Sequence, residues 1–181
     1  LEQNKADYLG VAYADEGIEL RKNNITLPIL IMNVSSDSME DIIDHQLTPS
    51  IHDLHQLNHF TNILVSLGIK NYPIHIKLNT GMNRLGFDKN EINDLCDYLL
   101  AQPEIKVEGI FSHLAASEIV EGKDLTKKQI KSFQELSTLM ESKLSIDTTK
   151  HILNTSGIEN YSDHEMDMVR LGIGLYVGSK K

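Results

Sequence analysis

Short apolar segments alternate with helical segments along almost the whole chain, and this alternation restricts the possible folds more than any other feature. Runs of apolar or alternating residues predict strands at 8–13, 28–32, 47–51, 74–78, 107–114, 151–157 (ending in a turn) and 166–176. Polar segments between most of these runs carry apolar residues at helical spacing. Roughly seven strand units of about 25 residues each indicate a parallel sheet with crossover helices.

Two architectures satisfy this pattern, a (β/α)8 barrel and an open doubly wound sheet. No GxGxxG or P-loop run follows the first strand, which weakens the nucleotide-binding open sheet. A complete barrel takes about 250 residues, and this chain has 181. The chain also lacks an initial Met and enters a strand almost at once. We therefore expect residues 1–181 to form one domain, an incomplete TIM-type barrel without its first strand unit, cut from a longer protein.

Composition narrows the class of protein. The formal net charge of -9 disfavours a nucleic-acid partner held by phosphate contacts. The single cysteine, Cys96, excludes an internal disulfide, fits a reducing cytoplasm and falls in a helical pattern as a core residue. No apolar run approaches the roughly 18 residues of a membrane span. His52, His55 and His59 share one helix face, but no carboxylate or cysteine clearly completes a metal site, so solvated histidines and no metal are predicted.

The segment 74–87 combines a predicted strand with two positively charged residues near the end of that strand. Its first half alternates apolar and polar residues, and its second half breaks that pattern with Gly81 and Gly86. Lys77 and Arg84 place two positive charges near the strand end, which suits an anionic substrate or cofactor. A strand end with solvated charges is the alternative, and local chemistry alone does not decide between them.

The run KLNTGMNRLGF, residues 77–87, resembles the signature of alanine racemases, which are fold-type III pyridoxal-phosphate (PLP) enzymes. Five further runs resemble other barrel units of that family in the right order: VAYADEGIELRK, PILIMN, EGIFSHLAASE, HILNTSG and DMVRLGIGLYVG. The resemblance covers almost the whole chain. It implies the N-terminal PLP-binding barrel, from about the second strand to the eighth, without the family's C-terminal β domain.

The resemblance also implies a set of cofactor-binding residues. The phosphate is expected at the hydroxyl of Thr155, where the family more often has Ser, and at the backbone of Gly172 and Ile173. Arg170 is expected against the pyridine nitrogen, where a permanently charged guanidinium does not hand over its proton. His113 is expected against the ring face. A lone histidine at a strand end is otherwise more often structural.

Other site residues follow from the same resemblance. Arg84 is expected near the phenolate oxygen of PLP and the substrate carboxylate, with Lys77 as its buttress. This lysine is carbamylated in many relatives, and the sequence leaves its state here open. Met32 is expected along the ring edge. Asn154 and His151 are candidate supporting hydrogen-bond donors.

The chain departs from the family in three respects. Asn79 stands where the family usually has Asp, which alters the local charge and the hydrogen bonding near Arg84. The Schiff-base lysine belongs to the first barrel strand, and no such run is present. The catalytic tyrosine belongs to the C-terminal domain, where it acts across a dimer interface. We therefore expect this segment alone to be inactive.

The expected parent is a cytoplasmic, homodimeric isomerase that binds PLP and interconverts L- and D-alanine for peptidoglycan synthesis in the cell wall, with no nucleic-acid or membrane partner. Some bacteria fuse such a racemase to a wall-precursor ligase, which leaves a bifunctional parent open. A racemase for another small amino acid such as serine, or a non-catalytic PLP-binding or scaffold protein, are the alternatives.

Overall fold

A computed structural model describes residues 1–176. Its strands are β1 Leu9–Val11, β2 Ile29–Ile31, β3 Thr48–Ile51, β4 Tyr72–Lys77, β5 Ile105–Phe111 and β6 Thr149–His151. Its α-helices are α1 Ala14–Lys22, α2 Met39–Asp44, α3 Leu54–Leu67, α4 Ile92–Leu100, α5 Lys123–Leu144 and α6 Thr155–Asn160. Short 3-10 turns at 2–4, 36–38, 89–91, 120–122, 162–164 and 173–175 complete the described elements.

The described strands follow one another in sequence order from β1 to β6 in a sheet. Parallel pairing joins β1 to β2, β2 to β3, β3 to β4, and β5 to β6. The predicted α/β class with a parallel sheet is thus confirmed. The incomplete barrel is confirmed to the extent of six parallel strands.

The predicted strand at 166–176 is wrong. Asp167 and Met168 donate backbone hydrogen bonds to the Lys150 carbonyl, and Arg170 donates to that of Leu153. These few bonds do not make a ladder, and the chain then turns through the 3-10 segment 173–175. The end of the last family-like run, residues 177 and 178, lies outside the described residues, as do the final three positions of the predicted domain 1–181.

The structure divides into two compact units, of which the first comprises residues 1–76 and 101–108. Its strand β2 is entirely buried, as a continuous apolar run predicts. Helix α3 begins at Asp53, whose carboxylate accepts a 2.7 Å hydrogen bond from the Gln56 amide. It ends at Gly68, whose φ of 68° closes the last turn in the left-handed conformation.

Two polar side chains tie the first unit together. Tyr72 at the start of β4 donates its hydroxyl to the carbonyls of Ile42 and Leu47, and burial raises the pKa of that hydroxyl. The guanidinium of Arg21 donates to the carbonyls of Ile25, Leu27, His45 and Gln46. Two side chains therefore supply hydrogen-bond donors to carbonyls from several turns of the first unit.

The second unit comprises residues 77–100 and the chain from 109 onward. Its helices α4 and α5 pack together, and its core includes the fully buried Phe87, Leu95, Cys96, Phe133 and Met140. The prediction that Cys96 is a core residue is confirmed. Burial raises the pKa of its thiol, which makes it a poor nucleophile.

Between residues 1 and 176, no helix is both long and apolar enough to cross a bilayer.

Candidate functional site

The predicted site residues lie mainly in the second unit, and Lys77 is the most deeply buried of the charged ones. It ends β4 with only 5% of its surface exposed. Its ammonium lies 5.8 Å from the centre of the Phe111 ring. Burial lowers its pKa, and the charges of Arg84 and Arg170 lower it further. No carboxylate pairs with it among the residues described, so its ammonium has no counter-ion there.

The loop that carries Arg84 is closed on itself by Asn79. The side-chain oxygen Oδ1 of Asn79 accepts hydrogen bonds from the backbone amides of Gly81 and Asn83, at 3.2 and 3.0 Å. Its side-chain nitrogen Nδ2 donates to the Asp88 carboxylate at 2.7 Å. An aspartate at this position would have no hydrogen to offer Asp88. The asparagine is therefore an integral part of the loop.

Gly86 closes the other end of the same loop. Its φ is 127°, and a Cβ atom there would lie 2.6 Å from the Asn79 nitrogen. Phe87 then donates its backbone amide to the Lys77 carbonyl at 2.9 Å. The loop leaves β4 and returns beside it, with the Arg84 side chain exposed to solvent.

Arg170 is fixed by four acceptors. Its two terminal nitrogens donate to the Nδ1 atom and carbonyl of His151 at 2.6 and 3.1 Å, and to the carbonyls of Ser112 and Ile152 at 2.6 and 3.2 Å. Burial lowers the pKa of its guanidinium to about 10, so it stays a cation at neutral pH. Its Nε–H makes no hydrogen bond within the described structure, so one donor remains for a ligand.

An aromatic stack supports this arginine. The rings of Phe111 and His151 are 4.9 Å apart and almost parallel, at 2°. The Arg170 guanidinium lies 5.4 Å from the Phe111 centroid. Lys77 and Arg170 thus both contact one aromatic ring, an arrangement that stabilises cations in the absence of a counter-ion.

His113 follows β5 and is half buried. Burial lowers its pKa to about 4, with further lowering from the charges of Arg170, Arg84 and Lys77. The imidazole is therefore neutral at physiological pH. Lys77, Arg84 and Arg170, here called the cationic cluster, form with this neutral imidazole a region suited to an anion.

Thr155 lies against the glycine-rich segment 172–174. The Thr155 hydroxyl oxygen accepts hydrogen bonds from the amides of Gly172 at 3.0 Å and Gly174 at 3.3 Å. A Cβ atom at Gly174 would lie 2.8 Å from the Thr155 methyl group, so no larger residue fits there. Ile173 is exposed, and its amide has no acceptor among residues 1–176. We call these four residues the hydroxyl–glycine cradle.

The two remaining candidates have defined local roles. Asn154 is the N-cap of α6, and its side-chain oxygen accepts from the Gly157 amide at 2.9 Å and the Ser117 hydroxyl at 2.8 Å. Met32 belongs to the first unit, where its amide donates to the Val11 carbonyl after β2. Their contacts with a cofactor stay predictions.

The sequence did not identify four residues that contact the candidate site residues: Phe111, Ser112, Gln129 and Gly174. Phe111 was predicted only as part of a strand, and Ser112 follows it. Gln129 lies in a helix whose apolar positions gave no signal for a buried amide. The apolar run around Gly174 predicted a strand, whereas the structure has a turn.

His55 and His59 lie on α3, whereas His52 precedes it, and within the described residues no group of three or more metal-ligating side chains occurs. His52 lies 3.3 Å from the carboxylate of Asp53 instead.

Fold and site together define a class. Parallel α/β proteins with anion-binding groups at the carboxyl ends of their strands include the cofactor-binding barrels. This chain has the parallel sheet, and Lys77 and His113 lie at or just after the ends of two of its strands. Residues 1–180 match the model of the alanine racemase N-terminal domain. The chain therefore belongs to the alanine racemase N-terminal domain family.

Individual relatives agree with this assignment. Alanine racemase 1 of Oceanobacillus iheyensis is 35% identical over 94% of this chain and 46% of its own length. A solved alanine racemase of Clostridium difficile 630 is 34% identical with a TM-score of 0.91, covering all of this chain and 47% of that one. The Bartonella henselae enzyme, solved with covalently bound pyridoxal phosphate, is 25% identical with a TM-score of 0.83 over 97% of this chain and 50% of its own. This chain thus spans about half the length of its relatives.

Proposed function

We propose that this chain is the larger part of the PLP-binding domain of an alanine racemase, which interconverts L- and D-alanine. The observation that carries the proposal is the cationic cluster, in which a buried lysine and two arginines have no carboxylate partner among the described residues. Lys77 and Arg170 are withdrawn from water, whereas Arg84 is exposed; cations withdrawn from water are costly without a counter-ion, and a bound anion would compensate them. PLP and an amino-acid substrate supply a phosphate, a phenolate and a carboxylate.

The hydroxyl–glycine cradle fits a phosphate group. Thr155 already accepts two amide hydrogens, so its own hydroxyl hydrogen is free to point at a phosphate oxygen. The amide of Ile173 is a second donor, and Gly174 keeps the backbone close to the threonine. In this proposal the Thr155 hydroxyl and the Ile173 amide donate to the phosphate. Gly172, whose own amide donates to Thr155, keeps the backbone against the threonine, and Asn154 fixes the turn that precedes them.

Arg170 and His113 fit the heterocycle. The four acceptors of Arg170 fix its plane and leave Nε–H to meet a ring nitrogen as a donor. His113, neutral at working pH, can lie against a ring face without adding a charge. PLP supplies an electron sink that stabilises negative charge at the substrate α-carbon. Arg170 keeps its own proton and so holds the ring nitrogen in one protonation state.

Arg84 and Lys77 fit the anionic side of the substrate. Arg84 is exposed on its loop and would bind the carboxylate of alanine and the phenolate oxygen. Burial and the two arginines lower the pKa of Lys77, so it loses its proton more readily than an exposed lysine, and the amine so formed is able to take up CO2 as a carbamate. That change would convert a neutral or positive group into an anion and orient Arg84 by an ion pair.

Both proton-transferring bases fall outside these residues, so the proposed activity belongs to the longer protein and not to this segment alone. In that protein a lysine would bond PLP, and a tyrosine of a partner subunit would serve the opposite face of the substrate. A homodimeric enzyme in the cytoplasm that supplies D-alanine for peptidoglycan fits this scheme.

The test uses the full-length protein. Purified with PLP, it should show visible absorbance from bound cofactor and convert L-alanine to D-alanine, with serine as the competing substrate. Thr155→Val, which removes the hydroxyl but keeps the shape, should weaken PLP binding, and Thr155→Ser should restore it.

Thr138→Val is the matched control, because Thr138 lies exposed on α5. A wild-type protein without bound PLP, or equal PLP affinity in Thr155→Val and wild type, would count against the proposal. Faster turnover of serine than of alanine would change the substrate and leave the cofactor site intact.

A further inference from the structure

We propose that Gln129, on helix α5, is a positioning residue that holds together the segments that follow β4 and β5. It thereby fixes the positions of Arg84 and His113. The inference rests on the proposed function for its kinetic consequences and on the contacts of Gln129 for its structural ones. The side chain is fully buried, with 0% exposure. A buried primary amide is costly unless all its groups are paired, so its partners reveal what it is held against.

Three partners engage the Gln129 amide. Its oxygen accepts a 2.9 Å hydrogen bond from the Ala115 backbone amide, and its nitrogen donates to the His113 carbonyl at 2.9 Å. One helical side chain therefore holds the backbone on both sides of Leu114, immediately after β5. The orientation of His113 depends on that backbone.

The same nitrogen donates to the Thr80 hydroxyl at 3.5 Å. Thr80 lies 2.8 Å from the Ser112 hydroxyl, which in turn donates to the Leu78 carbonyl at 2.7 Å. Because Ser112 has one hydroxyl hydrogen, Thr80 must be the donor between the two. The hydrogen bonds thus run in one direction, from Gln129 through Thr80 and Ser112 to the end of β4.

This chain of hydrogen bonds meets the cationic cluster at two points. Thr80 begins the loop that carries Arg84, and the Ser112 carbonyl accepts from Arg170 at 2.6 Å. All links are buried, where hydrogen bonds strengthen one another and where a missing one leaves its neighbours unpaired. Loss of the Gln129 side chain should therefore increase the mobility of both segments, the one after β4 and the one after β5.

Three variants of the full-length protein remove different hydrogen bonds of this chain. Gln129→Met keeps the volume and removes every hydrogen bond. Gln129→Glu keeps the acceptor for the Ala115 amide but loses the amide donors to His113 and Thr80. Thr80→Val breaks the chain one step further on. Gln134→Met is the control, because Gln134 lies exposed on the same helix.

The measurements are PLP affinity, kcat and KM for alanine, and amide hydrogen exchange at Ala115 in the PLP-free protein. Displacement of reacting groups by about 1 Å costs up to about a hundredfold in rate, so Gln129→Met should lower kcat/KM by between tenfold and a hundredfold and weaken PLP binding. Ala115 should exchange faster in Gln129→Met and near the wild-type rate in Gln129→Glu. Thr80→Val should add little in the Gln129→Met background, since both interrupt one chain.

A purely structural role gives a different result. If Gln129→Met lowers only Tm, while PLP affinity and kcat/KM at a temperature where it is folded match those of Gln134→Met, the inference is overturned and the proposed function stands. If the wild-type protein neither binds PLP nor racemises alanine, the proposed function fails and Ala115 exchange decides. Equal exchange in wild type and Gln129→Met overturns the positioning role, and faster exchange in the variant supports it.

Discussion

The terminal nitrogen of Arg170 lies 2.6 Å from Nδ1 of His151 in the second unit. A guanidinium has only donors, so Nδ1 must accept and the imidazole must carry its hydrogen on Nε2. His151 is completely buried. The pair therefore consists of a fixed cation and a neutral ring in one tautomer.

Replacing His151 with Phe should test this pair. The variant keeps a ring to stack on Phe111 and removes one acceptor of Arg170. A buried hydrogen bond to a charged group contributes about 1.5–3 kcal/mol, so Tm should fall and PLP affinity with it. Thermal unfolding and PLP titration of the full-length protein measure the two effects.

His55→Phe provides the comparison, since His55 is exposed on α3. PLP affinity in His151→Phe equal to that in His55→Phe would show that the histidine does not support Arg170.

Lys77 should become carbamylated when CO2 is present. Only a neutral amine reacts with CO2, and burial with two neighbouring arginines lowers the Lys77 pKa. The modified fraction should therefore rise with pH and do so at a lower pH than for exposed lysines. With 13C-labelled bicarbonate, the NMR spectrum should show a carbamate signal that Lys77→Met abolishes.

Lys70→Met serves as the control, because Lys70 is exposed and lies just before β4. A carbamate signal that persists in Lys77→Met, or that grows as pH falls, would refute the prediction.

His113 should stay neutral well below the ordinary histidine range. Its pKa is lowered to about 4, first by burial and then by Arg170, Arg84 and Lys77. The folded value lies below the unfolded one of about 6.5, so the unfolded chain binds the proton first. The resulting stability is complete above pH 6.5 and is lost as pH falls toward 4.

The imidazole signal of His113 in an NMR titration gives its pKa directly. Arg84→Gln removes one cation and should raise that pKa, whereas Arg21→Gln, which lies in the first unit, should not. A titration midpoint near 6.5 in the wild-type protein would contradict the assignment.

Much of the fold could be predicted because each strand–helix unit carries its own local signals. The buried run of β2, the Asp53 cap and Gly68 at the end of α3 each specify a structure within a few residues. The segment 166–176 was mispredicted because its apolar residues matched a strand. Leu171, Ile173 and Tyr176 prove to be exposed, and a ladder depends on partners that no local pattern encodes.

Candidate site residues could be named from the sequence where a polar residue stands out from its local pattern. Arg170 interrupts an apolar run, and Thr155 follows a strand, so both stood out together with the family-like wording. Gln129 did not, because its partners, two of them backbone groups, are 14 or more residues away and a glutamine in a helix is usually solvated. Hydrogen bonds to the backbone leave no pattern in the sequence.

Gly86→Ala should disrupt the loop that carries Arg84. The backbone at Gly86 has a φ of 127°, which side-chain-bearing residues rarely adopt. An alanine Cβ would also lie 2.6 Å from the Asn79 nitrogen and 2.7 Å from the Leu78 carbonyl carbon, both backbone atoms that cannot move aside alone. The strain should cost about 1–3 kcal/mol, so the loop should shift and Arg84 with it.

Gly10→Ala is the matched control, since a Cβ there meets nothing within 4 Å. In the full-length protein, Gly86→Ala should raise KM for alanine more than it weakens PLP binding, because Arg84 is proposed to bind the substrate carboxylate whereas Thr155 holds the phosphate. Kinetics and PLP titration on the same samples separate the two. An unchanged KM in Gly86→Ala would mean that the loop conformation, and the Asn79 hydrogen bonds that close it, do not set the position of Arg84.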